Sequence, residues 1–200
     1  MREIAFDIET TGLYVDEGHR LISVGMVEMI DGKETGIKLQ FLVNPERESD
    51  PEALNVHKMT TKFLSQFPTF DAHAETIRDF IGNDPVVITC RTSDRNGNIY
   101  TLDQAFLDAE FARAGVAPLK KEQWINVRRW SEELFGTQEA RLDKILDRYG
   151  VSRAERDRKG HGALLDAELL AAVYPRLKAD YLAFKTGSTV TTPAAPPPKR

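Results

Sequence analysis

Two carboxylates placed two residues apart in an otherwise apolar opening strand constrain this chain more than any other feature. Arg2-Glu-Ile-Ala-Phe-Asp-Ile8 reads as a β-strand, and Glu9 extends it with a second acid. Residues two apart on a strand share a face, so Asp7 and Glu9 project together while Phe6 and Ile8 face the other way. Neighbouring carboxylates repel unless a cation sits between them. Taken alone, an acidic solvent-facing edge explains the pair equally well. The Thr10-Thr11-Gly12 turn that follows allows backbone to approach a ligand, because glycine carries no side chain.

The rest of the chain supplies a sheet for that strand. Residues 21–30 and 36–43 are β-rich runs separated by Asp31-Gly32, a hairpin signal that predicts an opening three-stranded antiparallel meander. Residues 45–50 read as a polar loop, and 72–81 as a helix with Ile77, Phe80 and Ile81 on one side. Pro85 to Cys90 is a short apolar strand candidate, followed by a polar stretch with the turn signal Asn96-Gly97. A helix is expected over 103–114, with Leu102, Phe106, Leu107 and Phe111 as its buried stripe and Gly115 as its stop. Residues 124–128 suggest a strand, and 139–149 an amphipathic helix carrying Leu142, Ile145, Leu146 and Tyr149. Residues 163–182 form a long helical pattern that Pro175 is expected to kink or break. From Lys185 the composition turns to Thr, Pro and Ala, the signature of a disordered tail. The pattern is that of an α/β mixed sheet flanked by helices.

Composition narrows the function classes. The chain is 41% hydrophobic and 29% charged over 200 residues, enough for one globular domain. No apolar run reaches the roughly 18 residues of a membrane span, and no signal peptide is evident at Met1 to Asp7. With one cysteine, Cys90, no internal disulfide is expected, and a reducing cytoplasm is the expected location. A net charge of −4 argues against a basic architectural nucleic-acid binder. It does not argue against an enzyme that reaches phosphates through bound cations.

A second acidic site lies in His161-Gly-Ala-Leu-Leu-Asp166-Ala, where Asp166 enters the long helix opposite Leu165 and Leu169 and His161 precedes it. Carboxylates suit hard cations, and one histidine has a pKa fit for taking a proton from water.

Asp-Ile-Glu-Thr-Thr-Gly at 7–12 and His-Gly-Ala-Leu-Leu-Asp-Ala at 161–167 resemble the first and third motifs of the DEDDh superfamily of 3′–5′ exonucleases. The resemblance is strongest to the epsilon proofreading subunits of bacterial DNA polymerase III. Asn44-Pro45, the run Asp50 to His57, and Leu142 to Gly150 follow the same pattern, so the likeness covers roughly residues 2–178. The middle motif departs from it. Thr89-Cys90 stands where His-Asn is expected, and two aspartates compete for the motif's metal ligand. Asp94 is the ungapped match. Asp103 fits better, since Leu102 to Arg113 matches the family's helix, and it requires an inserted turn around Asn96-Gly97.

The resemblance implies a ribonuclease H-like mixed sheet flanked by helices, with an exonuclease domain over 1–184 and a tail over 185–200. It implies that Asp7, Glu9, Asp103 and Asp166 hold two divalent cations, Mg²⁺ or Mn²⁺, with His161 as general base. Thr10, Thr11, Leu13 and His57 would receive the terminal nucleotide. The expected substrate is a single-stranded 3′ end of DNA, with RNA as the competitor. A replicative polymerase or sliding clamp is the candidate protein partner, with a free-standing nuclease as the alternative. Ala179 to Phe184 falls where relatives carry a clamp-binding peptide but lacks its opening glutamine and reads as the end of the last helix. No membrane is involved. The alternative is a nucleic-acid-binding module of the same fold whose altered middle motif has weakened or abolished catalysis. Charged residues of 153–159 read as a solvated face, and Trp124 and Trp130 as packing residues rather than base-stacking platforms.

Overall fold

The computed structural model describes residues 1–90, 92–93 and 99–188. β1 (Arg2–Thr10) pairs antiparallel with β2 (Leu21–Ile30), which pairs antiparallel with β3 (Lys33–Leu42) at the sheet edge. Asp31 and Gly32 adopt φ of 51° and 75°, the left-handed pair that matches a two-residue turn to the twist of its strands. On its other side β1 runs parallel to β4 (Val86–Ile88), and β4 parallel to β7 (Trp124–Asn126), giving the order β3-β2-β1-β4-β7. The expected meander is present within a mixed sheet.

Alternation along β1 sorts its residues between two core layers. Ile4, Phe6 and Ile8 face α3 (Asp71–Ile81) and α4 (Leu102–Ala114), which contribute Ile77, Phe106 and Phe111. Ala5 faces the other layer, built from α5 (Val127–Phe135), α6 (Leu142–Tyr149) and α8 (Ala163–Lys185). Asp7 and Glu9 share the parity of Ala5 and so project on the side of α8. Each fully buried aromatic or aliphatic side chain contributes about 1.5–3 kcal/mol, so Phe106 and Phe111, both fully buried, are sufficient to fix α4 and the aspartate at its start.

Several elements differ from expectation. α8 continues through Pro175 to Lys185 without a break. The proline removes one backbone donor, but Val173, Tyr174 and Leu177 around it are buried and hold both halves on the sheet. β7 stops at Asn126, whose side chain accepts from the Arg128 amide and starts α5. Residues 127 and 128 are therefore helical rather than extended. α6 begins at Leu142, after a single 3-10 turn over Thr137–Glu139, because Ala140 and Arg141 leave the helical path. Three short helices were not anticipated: α1 (Pro51–His57), α2 (Thr61–Leu64) and α7 (Ala154–Lys159). β5 (Thr92–Ser93) and β6 (Ile99–Tyr100) pair antiparallel, as an inserted hairpin requires. Its turn, with Asp94 and Asn96-Gly97, lies outside the described residues, as do residues 189–200 of the expected tail. Among the described residues no helix is long and apolar enough to cross a membrane.

Candidate active site

Four carboxylates from three elements meet at the C-terminal end of β1. Asp7 and Glu9 arrive on the strand. Asp166 arrives on the first turns of α8, on its inward face with Ala163, Ala167 and Leu170, and is 4% exposed. The approach is close because β2 carries a glycine where α8 touches it. A Cβ on Gly25 would lie 2.2 Å from the carbonyl carbon of Ala163. Asp103 comes from the opposite layer, in the first turn of α4, and is 2% exposed. The Cys90 thiol and the amides of Asp103 and Ile8 lie close enough to its carboxyl to favour the charged form against burial. The Ile8 contact places Asp103 between Asp7 and Glu9 along the chain of β1. One oxygen, Oδ2, is buried without a partner.

The electrostatics of this group are those of a cation site. Burial, followed by the charges of Asp166, Asp103 and Glu9, holds the Asp7 carboxyl well above its ordinary range. Burial and the charge of Asp166 push Glu9 up to about 8, and burial raises Asp103 to about 6. Acids so perturbed are neutralised either by protons or by metal. Ligand atoms of Glu9, His161 and Asp166 lie within 4.8 Å of one another. An oxygen-rich set with one imidazole and an orphaned buried oxygen fits a hard or borderline divalent ion.

Arg156, which by sequence belongs to the charged face of 153–159, also enters the site. It is buried on α7, with Nε 2.6 Å from Asp166 Oδ1 and Nη1 3.0 Å from Asp143 Oδ1. Its Nη2 donates to His161 Nδ1 at 3.0 Å. Its neighbours Asp157, Arg158 and Lys159 are exposed as expected. Nothing in the alternating charges of 153–159 singles it out, since a buried arginine on a six-residue helix leaves no apolar period. His161 is 45% exposed at its side chain, and its pKa is lowered by burial and by the charge of Arg156.

A cleft of about 570 Å³ opens beside the acids, lined among others by Glu9, Thr10, Gly12, Leu13, Glu52 and His57. Leu13 is 53% exposed there. His57 Nδ1 accepts from the Met59 amide at 3.0 Å, while its Nε2 is buried and unpartnered. Burial lowers its pKa to about 4, so near pH 7 the ring is neutral and carries its proton on Nε2. Thr11 is not part of the lining. Its amide donates to the Arg20 carbonyl, and its hydroxyl is engaged with His19 and the Arg20 amide. Thr10 spends its hydroxyl on the Gly12 carbonyl.

Cys90, in the altered middle motif, contacts both Asp103 and the end of β7. The Asp103 amide donates to Cys90 Sγ at 3.4 Å, and Asn126 Nδ2 donates to the Cys90 carbonyl at 2.8 Å. Trp124 packs edge-on to Phe6, and Trp130 stacks on Tyr181 at 4.8 Å, so both are packing residues.

A mixed sheet that gathers carboxylates from its central strand and two flanking helices, next to an open cleft, defines a nuclease of the ribonuclease H-like class. Comparison with known proteins carries this to a family. Residues 4–174 match the RNase T exonuclease family. The DNA polymerase III subunit epsilon of Rickettsia felis is 32% identical over 180 residues, covering 88% of this chain and 74% of the relative. The chain belongs to this exonuclease family. Among solved structures, the nuclease domain of 3′hExo, a DEDDh family member bound to rAMP, superposes with a TM-score of 0.67 at 16% identity, covering 98% of this chain and 97% of that one. A zinc-bound complex of E. coli ExoI with single-stranded DNA gives 0.67 at 14% identity, over 93% and 41% of the two chains. The protein is an exonuclease homologous to the epsilon subunit of bacterial DNA polymerase III, and its fold is that of the solved 3′-exonucleases.

Proposed function

We propose that the protein removes single nucleotides from single-stranded 3′ ends of DNA, releasing nucleoside 5′-monophosphates, with its activity contained in residues 1–184. The observation that carries this reading is the convergence of Asp7, Glu9, Asp103 and Asp166, one of which, Glu9, lines the cleft. The four acids would hold two Mg²⁺ or Mn²⁺ ions. When bound, such ions supply an acidified water and charge stabilisation at the leaving oxygen. His161 takes the proton of the attacking water, which requires a ring nitrogen with a free lone pair. The buried Nε2–H of His57 donates to an acceptor on the terminal nucleotide, Leu13 packs against its base, and the Thr10–Gly12 turn forms the floor. Buried Asp103 supports catalysis over a binding-only role, because the altered Thr89-Cys90 pair leaves an acid in reach of β1.

DNA is preferred over RNA because the full-length relative is a DNA polymerase III subunit. The same relationship supports a replicative polymerase as partner and a cytoplasmic location. Ala179–Phe184 is not proposed as a clamp-binding segment, since Asp180 and Tyr181 within it are occupied by Tyr149 and Glu133. The test is incubation of a 3′-labelled single-stranded oligodeoxynucleotide with Mg²⁺, Mn²⁺ or EDTA, beside its RNA equivalent. Metal-dependent release of labelled deoxynucleoside monophosphate supports the reading. RNA cleaved faster than DNA overturns the substrate, and no cleavage of either overturns the function.

A further inference from the structure

His19 lies outside the acid cluster, in the polar loop before β2, yet it is 3% exposed and both of its ring nitrogens are engaged. Nδ1 is 3.0 Å from Thr11 Oγ1, and Nε2 is 3.3 Å from Asp50 Oδ2. The network fixes the tautomer of the neutral ring. A neutral ring with its hydrogen on Nδ1 would turn the Nε2 lone pair toward a carboxylate. Thr11 Oγ1 accepts from the Arg20 amide at 2.9 Å and gives its own hydrogen to Nδ1, so Nε2–H donates to Asp50. A third contact completes the arrangement. The ring lies flat against the turn, and a Cβ on Gly12 would be 2.3 Å from His19 Cε1. The Asp50 amide also donates to the Thr11 carbonyl at 2.7 Å.

Thr11 and Gly12 belong to the turn that floors the cleft, while Asp50 is the residue from which α1 starts, and α1 forms the opposite wall with Glu52, Ala53, Val56 and His57. We infer that His19 is a positioning residue for the terminal-nucleotide cleft: its imidazole is a strut that sets the distance between the turn at Thr11–Gly12 and the α1 wall. This inference rests on the cleft being the nucleotide site proposed above. A strut of this kind acts on how well the nucleotide is held, not on the acids that carry out the chemistry. Its signature is therefore in binding rather than turnover.

The experiment measures dTMP affinity by calorimetry in the presence of Mn²⁺, KM and kcat on a single-stranded oligodeoxynucleotide, and the rate on bis(p-nitrophenyl) phosphate, which has no nucleoside. His19→Ala should raise the dTMP Kd and the oligonucleotide KM about tenfold, the scale of one lost hydrogen bond. Its kcat and its rate on the small phosphodiester should stay within about twofold. Asp50→Ala removes the far end of the strut from a half-exposed position and keeps the ring, so it provides the same reading if His19→Ala fails to fold. His19→Gln, which retains a donor and an acceptor, should restore part of the affinity. A fall in kcat at unchanged KM overturns the inference, and so does wild-type dTMP affinity in both alanine variants. Oligonucleotide cleavage by the wild type with no response in the variants removes this inference alone. Weaker dTMP binding in the variants of a wild type that cleaves nothing leaves it standing and removes the proposed function.

Discussion

Gly25 stands directly across the β1–β2 ladder from Asp7, and it is against Gly25 that the first turn of α8 rests. The bare backbone at that one position is what allows Asp166 to reach the side of β1 on which Asp7 projects. A methyl group would have to displace Ala163 and Leu164, whose backbone atoms lie 2.2–2.3 Å from its place.

Gly25→Ala should therefore cost more activity than stability. Overpacking of a tight interface costs about 1–3 kcal/mol, which leaves most of an ordinary domain folded. The shift of α8 moves Asp166 and His161 together, so cleavage should fall by about a hundredfold or more. Urea denaturation and an exonuclease assay on the same sample check this. A variant that is destabilised but cleaves normally would show that the close approach serves packing only.

The raised carboxyls make a prediction about the metal-free protein. Glu9 titrates near 8 in the fold against an ordinary 4.5, Asp103 near 6, and Asp7 is raised in the same sense. Below about pH 6.5 the lowered pKa values of His57, His73 and His161 work in the opposite sense, so it is between about pH 6.5 and 8 that the folded state binds more protons than the unfolded state and stability must fall as pH rises. The melting temperature in EDTA should fall from about pH 6.5 to 8, while Mn²⁺ should flatten that limb. Glu9→Gln should remove the upper part of the slope, raise the metal-free melting temperature at pH 8 and abolish cleavage. A stability that climbs from pH 6.5 to 8 in EDTA would contradict the assignment.

The face of the sheet and the acids at its centre were legible because alternation is a strong signal. Asp7 and Glu9 could be placed together from spacing alone, and Asp166 from its motif. The inserted hairpin before α4 could be read from Asn96-Gly97 together with the Leu102-to-Phe111 stripe. Arg156 and His19 could not be read. Each is a buried polar residue whose partners are 5 to 31 positions away in sequence, and no local periodicity encodes such pairings. Pro175 misled for a related reason, since the burial that holds α8 together across it is tertiary.

The choice between Asp103 and Asp94 can be tested directly. Asp103 is buried against the Ile8 amide with an unpartnered oxygen, whereas Asp94 lies outside the described residues. Asp103→Asn should weaken Mn²⁺ binding and eliminate cleavage. Asp94→Asn should change neither by more than about twofold. Calorimetric titration of both variants decides the matter, and the opposite pattern would restore the ungapped alignment.

His161 should show itself in the pH profile at saturating metal. Its pKa lies below the ordinary 6.5, because burial and the Arg156 charge disfavour the imidazolium. A general base acts in its neutral form, so kcat should rise with pH and level off below about 6.5. His161→Ala should lower kcat by roughly two to four orders of magnitude and remove that limb. A variant whose profile overlays the wild type would exclude the role.

Arg156 sets a condition on all of this chemistry. A guanidinium only donates, so its contact with His161 Nδ1 occupies the lone pair that a base needs, while its Nε occupies an oxygen of Asp166. In the metal-free protein Arg156 thus neutralises the cluster in place of a cation, and metal entering at Asp166 competes with it. Asp143, half-exposed and already 3.0 Å from Nη1, offers the displaced side chain a partner. Arg156→Met keeps much of the aliphatic stem and removes the charge. Breaking one side of a buried pair costs about 3–5 kcal/mol, so the variant should melt well below the wild type in EDTA. It should also bind Mn²⁺ at least about tenfold more tightly, because no internal cation has to be displaced, and its metal-induced rise in melting temperature should be correspondingly larger. If Arg156 were instead a fixed brace between α7 and α8, removing it would loosen Asp166, and both stability and metal affinity would fall. The sign of the change in Mn²⁺ affinity separates the two.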